Sequence, residues 1–409
     1  MTTVEFRTLP KAHLDRALDL ADIVFHETPE DEWRAAHREY LLRCDRIGAY
    51  DGDELVGMLG AYPLTLSVPG GELPCAGATF AAVAPTHRRR GILSGMLAEL
   101  WRRCADHDRP LAALWASQAA IYGRFGCGPA THGCTVEIDT GRPLALRIAP
   151  ADDLPLRLVA PEKAPGVVGP LHAAQRARRA GRVARDDYWW RTRVLPETDE
   201  DDDDLGPPRV VTIGAPPVGY AVYRTESGDD EPGAPGGVVH LVELEAETPG
   251  AAAALWQYLA SIDLTSKVRA WGRPLDDPLL LLAADRDQVR VTQEFPALWL
   301  RLVDVAAALE ARSWAAPCDL VLDLTDATLP ANAGRRRLTA GPAGATLTPT
   351  DAAPDLALDV RELAACYLGG TELRHLVRAG LAAEHTPGAA AALDEALRTA
   401  YLPHTTDEF

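Results

Sequence analysis

Several features are missing from this 409-residue chain, and each absence removes a class of function. No apolar run approaches the roughly 20 residues that span a bilayer, so no membrane partner is expected. The opening Met1-Thr2-Thr3-Val4-Glu5-Phe6-Arg7 lacks the basic-then-apolar order of a signal peptide, which predicts a cytoplasmic protein. The seven cysteines lie at 44, 75, 104, 127, 134, 318 and 366. Their number is odd, there is no Cys-x-x-Cys, and no histidine pair accompanies them at ligand spacing. A disulfide framework and a metal site are therefore both unexpected. Basic residues are outnumbered 41 to 59, for a formal charge of −18. Such a surface repels nucleic acid and attracts small cationic amines. Neither a Gly-Lys-Ser/Thr nor a Gly-x-Gly-x-x-Gly loop occurs, which excludes the two commonest nucleotide cradles.

What is present is concentrated between Phe80 and Leu97. An apolar, strand-like run ends at Pro85, a turn carries Arg88, Arg89, Arg90 and Gly91, and an apolar-periodic helix continues through Leu93, Met96, Leu97 and Leu100. A helix entered this way aims its first free N–H groups, and the positive end of its dipole, at the turn. Backbone amides can hold a phosphate there, the arginines add charge, and Gly91 lets the chain approach closely. The pattern resembles the pyrophosphate loop, Gln/Arg-x-x-Gly-x-Gly/Ala, with which the GCN5-related N-acetyltransferases (GNAT) grip acetyl-coenzyme A. Leu93 stands where that loop usually has a small residue.

The rest of the chain, with 47% apolar residues, is enough for two to four domains with cores of their own. The patterning predicts an edge strand over 4–9, helices over 14–25 and 30–43, and a hairpin from 47–50 through Asp51-Gly52-Asp53 into 55–68. Gly70-Gly71 then turns the chain into the central strand. A further strand over 111–116 runs into Ser117-Gln118-Ala119-Ala120-Ile121-Tyr122-Gly123-Arg124-Phe125-Gly126-Cys127-Gly128-Pro129-Ala130-Thr131. Taken with Val83-Ala84-Pro85-Thr86-His87-Arg88-Arg89-Arg90-Gly91, this stretch resembles the enhanced intracellular survival (Eis) family of actinobacterial acetyltransferases. Segments 220–224, 297–305 and 348–353 and the terminal Glu408-Phe409 extend the likeness over essentially the whole chain.

In the middle, a basic helical segment is expected over 176–185, followed by Tyr188-Trp189-Trp190 and a solvated acidic loop around Asp201–Asp204. Strands over 210–213 and 219–224, a Gly/Pro/Asp-rich turn over 228–237, a strand over 238–244 and a helix over 249–262 repeat the meander-strand-helix order of the first domain. Glu243, Glu245 and Glu247 stand in place of the arginine turn and would repel a pyrophosphate. Downstream, a strand over 299–303 leads into a helix over 305–311, and strands over 318–324, 334–338 and 345–348 then precede helices over 360–368, 373–379 and 389–400, an α+β unit. The resemblance implies an α+β fold overall: a GNAT domain over 1–143, a second GNAT-like domain without the coenzyme loop over 144–295, and a sterol-carrier-protein-like domain over 296–409. A lipid carrier working through that last domain is the alternative reading.

Acetyl transfer to a primary amine needs a grip on the diphosphate, an oxyanion donor, a base for the ammonium and an acid for the leaving thiolate. The coenzyme residues expected are Ala81, Ala82 and Val83, whose strand-end amides can polarise the thioester, then Arg88, Arg89, Arg90, Gly91, Ile92, Leu93 and Ser94, with Ser117 and Gln118 beyond. A tyrosine hydroxyl, with a reference pKa of about 10, is a suitable acid for a thiolate whose conjugate acid lies near 8.5. The resemblance gives that role to Tyr122 and gives the role of base to the terminal carboxylate of Phe409. Trp33, Glu27 and Glu408 are expected on the acceptor side. The resemblance further implies aminoglycosides, at more than one amine, with lysine amines as further acceptors, and a homo-hexamer.

Overall fold

The computed structural model describes residues 4–200, 202, 204–228 and 236–409. Asp201 and Asp203 of the acidic loop and 229–235 of the expected turn lie outside the described residues. The chain divides into two compact units, one made of the residues up to Thr131 with Leu298–Ala400 and Phe409, the other of His132–Ala297 with Tyr401–Glu408.

The first unit begins with β1 (Glu5–Thr8), α1 (Leu14–Phe25), α2 (Asp31–Arg43), β2 (Asp45–Asp51), β3 (Glu54–Val68) and β4 (Gly71–Val83). It continues through α3 (Ile92–Asp106), β5 (Leu111–Trp115), α4 (Ala119–Tyr122) and β6 (Cys127–Pro129). Strands β1 to β4 form an antiparallel meander. Helix α3 buries Ile92, Met96, Leu97, Leu100 and Trp101, residues spaced by three and four along one face. Each such side chain is worth roughly 1.5–3 kcal/mol when fully buried, so packing rather than propensity fixes this helix.

Strands β4 and β5 run parallel but pair only where Cys75–Gly77 face Leu111–Ala113. Beyond Gly77 they part, and the fork between them is the main feature the fold supplies to the site. A bulge between Met58 and Gly60 shifts the β3–β4 register just there. It places Phe80 at φ 48°, a left-handed backbone conformation that costs an aromatic residue on the order of 1–3 kcal/mol. The Phe80 ring is held edge-on to buried His37 with centroids 5.3 Å apart.

The second unit contains β7 (His132–Asp139), β8 (Leu156–Val159), α5 (Ala164–Arg176), α6 (Asp187–Trp189), β9 (Arg209–Ile213), β10 (Gly219–Glu226) and β11 (Gly237–Ala246). There follow α7 (Pro249–Ala260), β12 (Thr265–Pro274), α8 (Leu279–Leu282) and β13 (Val289–Pro296). Its seven strands are ordered β13-β7-β12-β11-β10-β9-β8. The fork recurs: β11 and β12 are parallel and paired from Gly237 to Leu241 and then part.

The chain then returns to the first unit with β14 (Leu298–Leu302), α9 (Val305–Ala311), β15 (Cys318–Thr325), β16 (Gly334–Gly341), β17 (Gly344–Pro349) and β18 (Leu356–Asp359). After α10 (Val360–Tyr367) and α11 (Leu373–Arg378) come β19 (Ala382–Glu384) and α12 (Ala389–Leu397). Strand β14 inserts antiparallel between β5 and β6, completing the sheet β1-β2-β3-β4-β5-β14-β6. The other five strands form the sheet β17-β16-β15-β18-β19. Fully buried Arg301 of β14 pairs with Asp326, just past β15, at 2.5 Å.

Several expectations change. The helix expected over 176–185 lies one segment upstream, as α5, with Pro170 inside it. Residues 177–185 are instead turned, with Gly181 at φ 94°. Arg179, Arg182 and Arg185 reach Asp276, Glu245 and Glu243 as ion pairs rather than lining a solvated face. Strands β12 and β13 had no expected counterpart. The expected domain limits at 143 and 295 also differ from the sheets, because β7 pairs in the second sheet and β14 in the first.

Candidate active site

The fork between β4 and β5, the start of α3 and the segment after β5 enclose a cavity of about 790 Å³ in the first unit. Its walls include Ala81 and Val83 from β4, and Arg88, Arg89 and Gly91 from the turn. Ile92, Leu93 and Ser94 from α3, and Ser117, Gln118 and Tyr122 beyond β5, complete the expected set found here. Eleven of the positions marked from the sequence thus converge on one space.

The turn is shaped for an anion. Arg89 and Gly91 both have left-handed backbones, φ 62° and 79°. Gly91 is the N-cap of α3 and no side chain caps the helix, so the first amides of α3 are left for a ligand. A Cβ at Gly91 would meet nothing within 4 Å, so glycine is needed there for its conformation and not for space. The lining residues further include His87 and Arg124. Among the described residues three arginines therefore line the cavity and no aspartate or glutamate does, within a chain of charge −18.

Alternation along β4 sorts the remaining coenzyme positions. Ala84 N–H donates to Val56 O of β3 at 2.9 Å, so the N–H of Val83 points the other way, into the fork. Ala82 faces the core, fully buried, and does not line the cavity. Arg90 is not part of the lining either: its guanidinium donates to Asp51 at 3.1 Å. The same carboxylate lies 3.6 Å from His87 Nε2, and Thr86 Oγ1 contacts His87 Nδ1 at 2.8 Å, so Asp51 braces the turn from behind.

Tyr122 ends α4 with its ring in the core and its pKa raised, first by burial and then by neighbouring Cys127. It therefore keeps its proton at neutral pH and can donate it. Phe409 does not line the cavity; its ring lies at the root of the fork, where a Cβ on Gly77 would sit 2.9 Å from Phe409 Cδ2. Glu27 is exposed just past α1, Trp33 is half-buried on α2, and Glu408 is exposed, all three outside the lining. Of the acids crowded near them, Asp19 and Asp22 are engaged by Arg34, each at 2.5 Å. Sequence reasoning missed Val24, Phe25, Ile121 and Arg124 as lining residues. Arg124 was within reach as a basic residue inside the Tyr-Gly-Arg-Phe run, but Val24 and Phe25 looked like ordinary members of the apolar face of α1.

A second, more apolar cavity of about 830 Å³ lies in the same unit, between α3 and the segments around α9 and β17, with Trp101, Val305, Leu329 and Leu347 in its wall.

Comparison with known proteins agrees with the geometry. Acetyltransferase (GNAT) domain families match residues 5–130 and 181–317, and a sterol carrier protein domain family matches 305–406. An uncharacterized N-acetyltransferase of Streptomyces avermitilis is 43% identical over 89% of this chain and 90% of its own. N-acetyltransferase Eis of Mycobacterium tuberculosis is 38% identical over 79% of this chain and 78% of its own. Among solved structures, Eis1 of Mycobacterium abscessus superposes with a TM-score of 0.84 at 32% identity over the whole of both chains. A GCN5-related N-acetyltransferase from Anabaena variabilis reaches 0.86 at 21% identity over both whole chains, a likeness of fold.

Proposed function

We propose that this chain, which belongs to the Eis family of GNAT N-acetyltransferases, transfers the acetyl group of acetyl-coenzyme A to primary amines of small polycationic molecules, aminoglycosides among them. The observation that carries the coenzyme assignment is that the charged residues lining the fork cavity are arginines, Arg88, Arg89 and Arg124, beside the uncapped start of α3. That arrangement suits a diphosphate and is unsuited to a cationic amine.

The diphosphate rests on the amides at the start of α3 and on Arg88 and Arg89. The thioester arm enters the fork, where the Val83 N–H donates to the carbonyl oxygen as it gains charge. The amine, deprotonated by the terminal carboxylate of Phe409, attacks the carbonyl carbon, and the C–S bond breaks. Tyr122 gives its proton to the departing thiolate. Trp33, Glu27 and Glu408 belong to the acceptor side, attracting the ammonium before it is deprotonated. Assembly as a cytoplasmic homo-hexamer is part of the same reading; no described helix is long and apolar enough to cross a membrane.

Thiol release from acetyl-coenzyme A, measured against aminoglycosides, polyamines and lysine peptides, tests the proposal. Release dependent on an amine, with acetylated product by mass, is the expected result. The apolar 830 Å³ cavity favours a second reading, a carrier of apolar ligands. Binding of a fluorescent acyl chain without any thiol release would support that reading instead.

A further inference from the structure

The end of the chain is fastened before it reaches its last residue. Within the second unit, His404, Thr405 and Asp407 are each at least 95% buried, with Pro403 buried beside them. They lie at the fork between β11 and β12. His404 is held neutral by burial and by nearby Arg182, and its Nε2–H donates to Gly272 O of β12 at 2.6 Å. His404 N donates to Ala180 O at 2.9 Å, and Thr405 Oγ1 to Gly181 O at 2.5 Å. Three residues past His404 the tail is tied to the other arm of the fork. Asp407 Oδ1 accepts from Arg185 Nε at 2.7 Å and from Trp189 Nε1 at 2.8 Å. The same Arg185 makes a bidentate contact with Glu243 of β11, at 2.9 and 2.8 Å, and Tyr220 Oη donates to Glu243 at 2.8 Å.

Glu243 lies two residues beyond Leu241, the last residue of β11 paired with β12. In the first unit the equivalent fork receives the thioester arm on the reading given above. In the second, a glutamate held by arginine stands at that place, and the chain's own tail crosses it. The copy that lacks a coenzyme loop therefore has an occupant for its fork.

We propose that Arg185, with Trp189 and Glu243, is a positioning element for acetyl transfer: it clamps Asp407 and so restrains the terminal carboxylate of Phe409, two residues later. The inference rests on the reading of that carboxylate as the base. The buried charges make the clamp specific. Two guanidiniums, Arg182 and Arg185, face three carboxylates, Glu243, Glu245 and Asp407. Removing Asp407 leaves each arginine with its own glutamate, so the network survives while the tail is released.

The test compares Asp407→Ala, Asp407→Asn and deletion of Phe409 in the full-length protein. Asp407→Ala is expected to lower kcat about 10–100-fold, the scale on which small misplacements of a reacting group act. The acetyl-coenzyme A Kd by calorimetry should stay within about 2-fold, since coenzyme contacts are untouched. Asp407→Asn keeps an oxygen that accepts from Arg185 and Trp189 and should recover most of the turnover. Carboxypeptidase should release Phe409 faster from Asp407→Ala than from the parent or Asp407→Asn. Parent-like turnover of Asp407→Ala, with the Phe409 deletion inactive, overturns the clamp and leaves the base assignment standing. Parent-like turnover of the deletion as well overturns the base assignment. Should Asp407→Ala fail to fold, Thr405→Val removes one neutral hydrogen bond of the same tail: lower kcat with faster release of Phe409 supports the clamp, and unchanged values overturn it.

Discussion

Gly77 offers a direct test of whether Phe409 belongs at the fork, because nothing but its missing side chain makes room for the ring. It is the last residue of β4 paired with β5, and its neighbours press from both sides. A Cβ there would stand 2.9 and 3.0 Å from Phe409 Cδ2 and Cε2 and 2.7 Å from Leu64 Cδ1. Carbon atoms in contact settle at about 3.5–4.0 Å, so in Gly77→Ala the Phe409 ring must retreat by roughly 0.5 Å or more. Overpacking of this kind costs about 1–3 kcal/mol of stability, which leaves the protein folded. Displacement of a reacting group on the ångström scale lowers turnover by up to about 10²-fold. Gly77 does not line the coenzyme cavity, so kcat should fall in steady-state thiol release while coenzyme Kd holds. Shrinking the ring while keeping the terminal carboxylate, in Gly77→Ala with Phe409→Leu, should restore a large part of the rate. A Gly77→Ala enzyme that folds and turns over like the parent would refute both the crowding argument and the place of Phe409 in the chemistry.

Replacing Arg88 and Arg89 by alanine should weaken acetyl-coenzyme A binding in calorimetry by about 1.5–3 kcal/mol for each charge-assisted bond lost, with the thermal midpoint little changed, and unaltered affinity would remove the turn from the site. Tyr122→Phe keeps the buried ring and deletes only the donor; turnover should drop about 10²–10⁴-fold with coenzyme affinity retained, and a parent-like rate would mean that water protonates the thiolate. His172 is kept neutral by burial, with Arg185 next in effect, and its pKa falls to about 2. The unfolded chain takes up a proton there near pH 6.5 and the native protein does not, so this group makes stability fall as pH drops below 6.5, by about 1.4 kcal/mol per pH unit. In His172→Leu, denaturant titrations between pH 7 and 5 should show a slope shallower by about one proton; an unchanged slope would show that this imidazole is protonated in the native state.

The local elements of the site were fixed by short-range chemistry, and the sequence alone sufficed for them. An apolar run ending in proline, a glycine after a basic turn and a three-and-four apolar repeat specify strand, turn and helix within one contiguous stretch of chain, because hydrogen-bond geometry and side-chain period act over that range. That is why Arg88, Arg89, Gly91 and the start of α3 were legible, whereas Tyr122 was marked by the family resemblance. Register, pairing and partner choice depend on residues far apart in the chain, and those only the tertiary structure decided. Nothing near Arg90 marks its capture by Asp51, 39 positions away. The alternation that turns Ala82 from the fork into the core is set by pairing with β3. Pro170 hid α5, since an interior proline ordinarily breaks a helix, while the arginines after it looked helical until their carboxylate partners were in place. The order of the first sheet was equally hidden, because β14 enters it from Leu298–Leu302, after the whole second sheet has been laid down. The same holds for the tail. By composition 401–409 is a polar end that should fray, and what holds it are residues far away in the chain: Gly272 and Ala180 at His404, and Arg185, more than 200 residues earlier, which pairs with both Asp407 and Glu243.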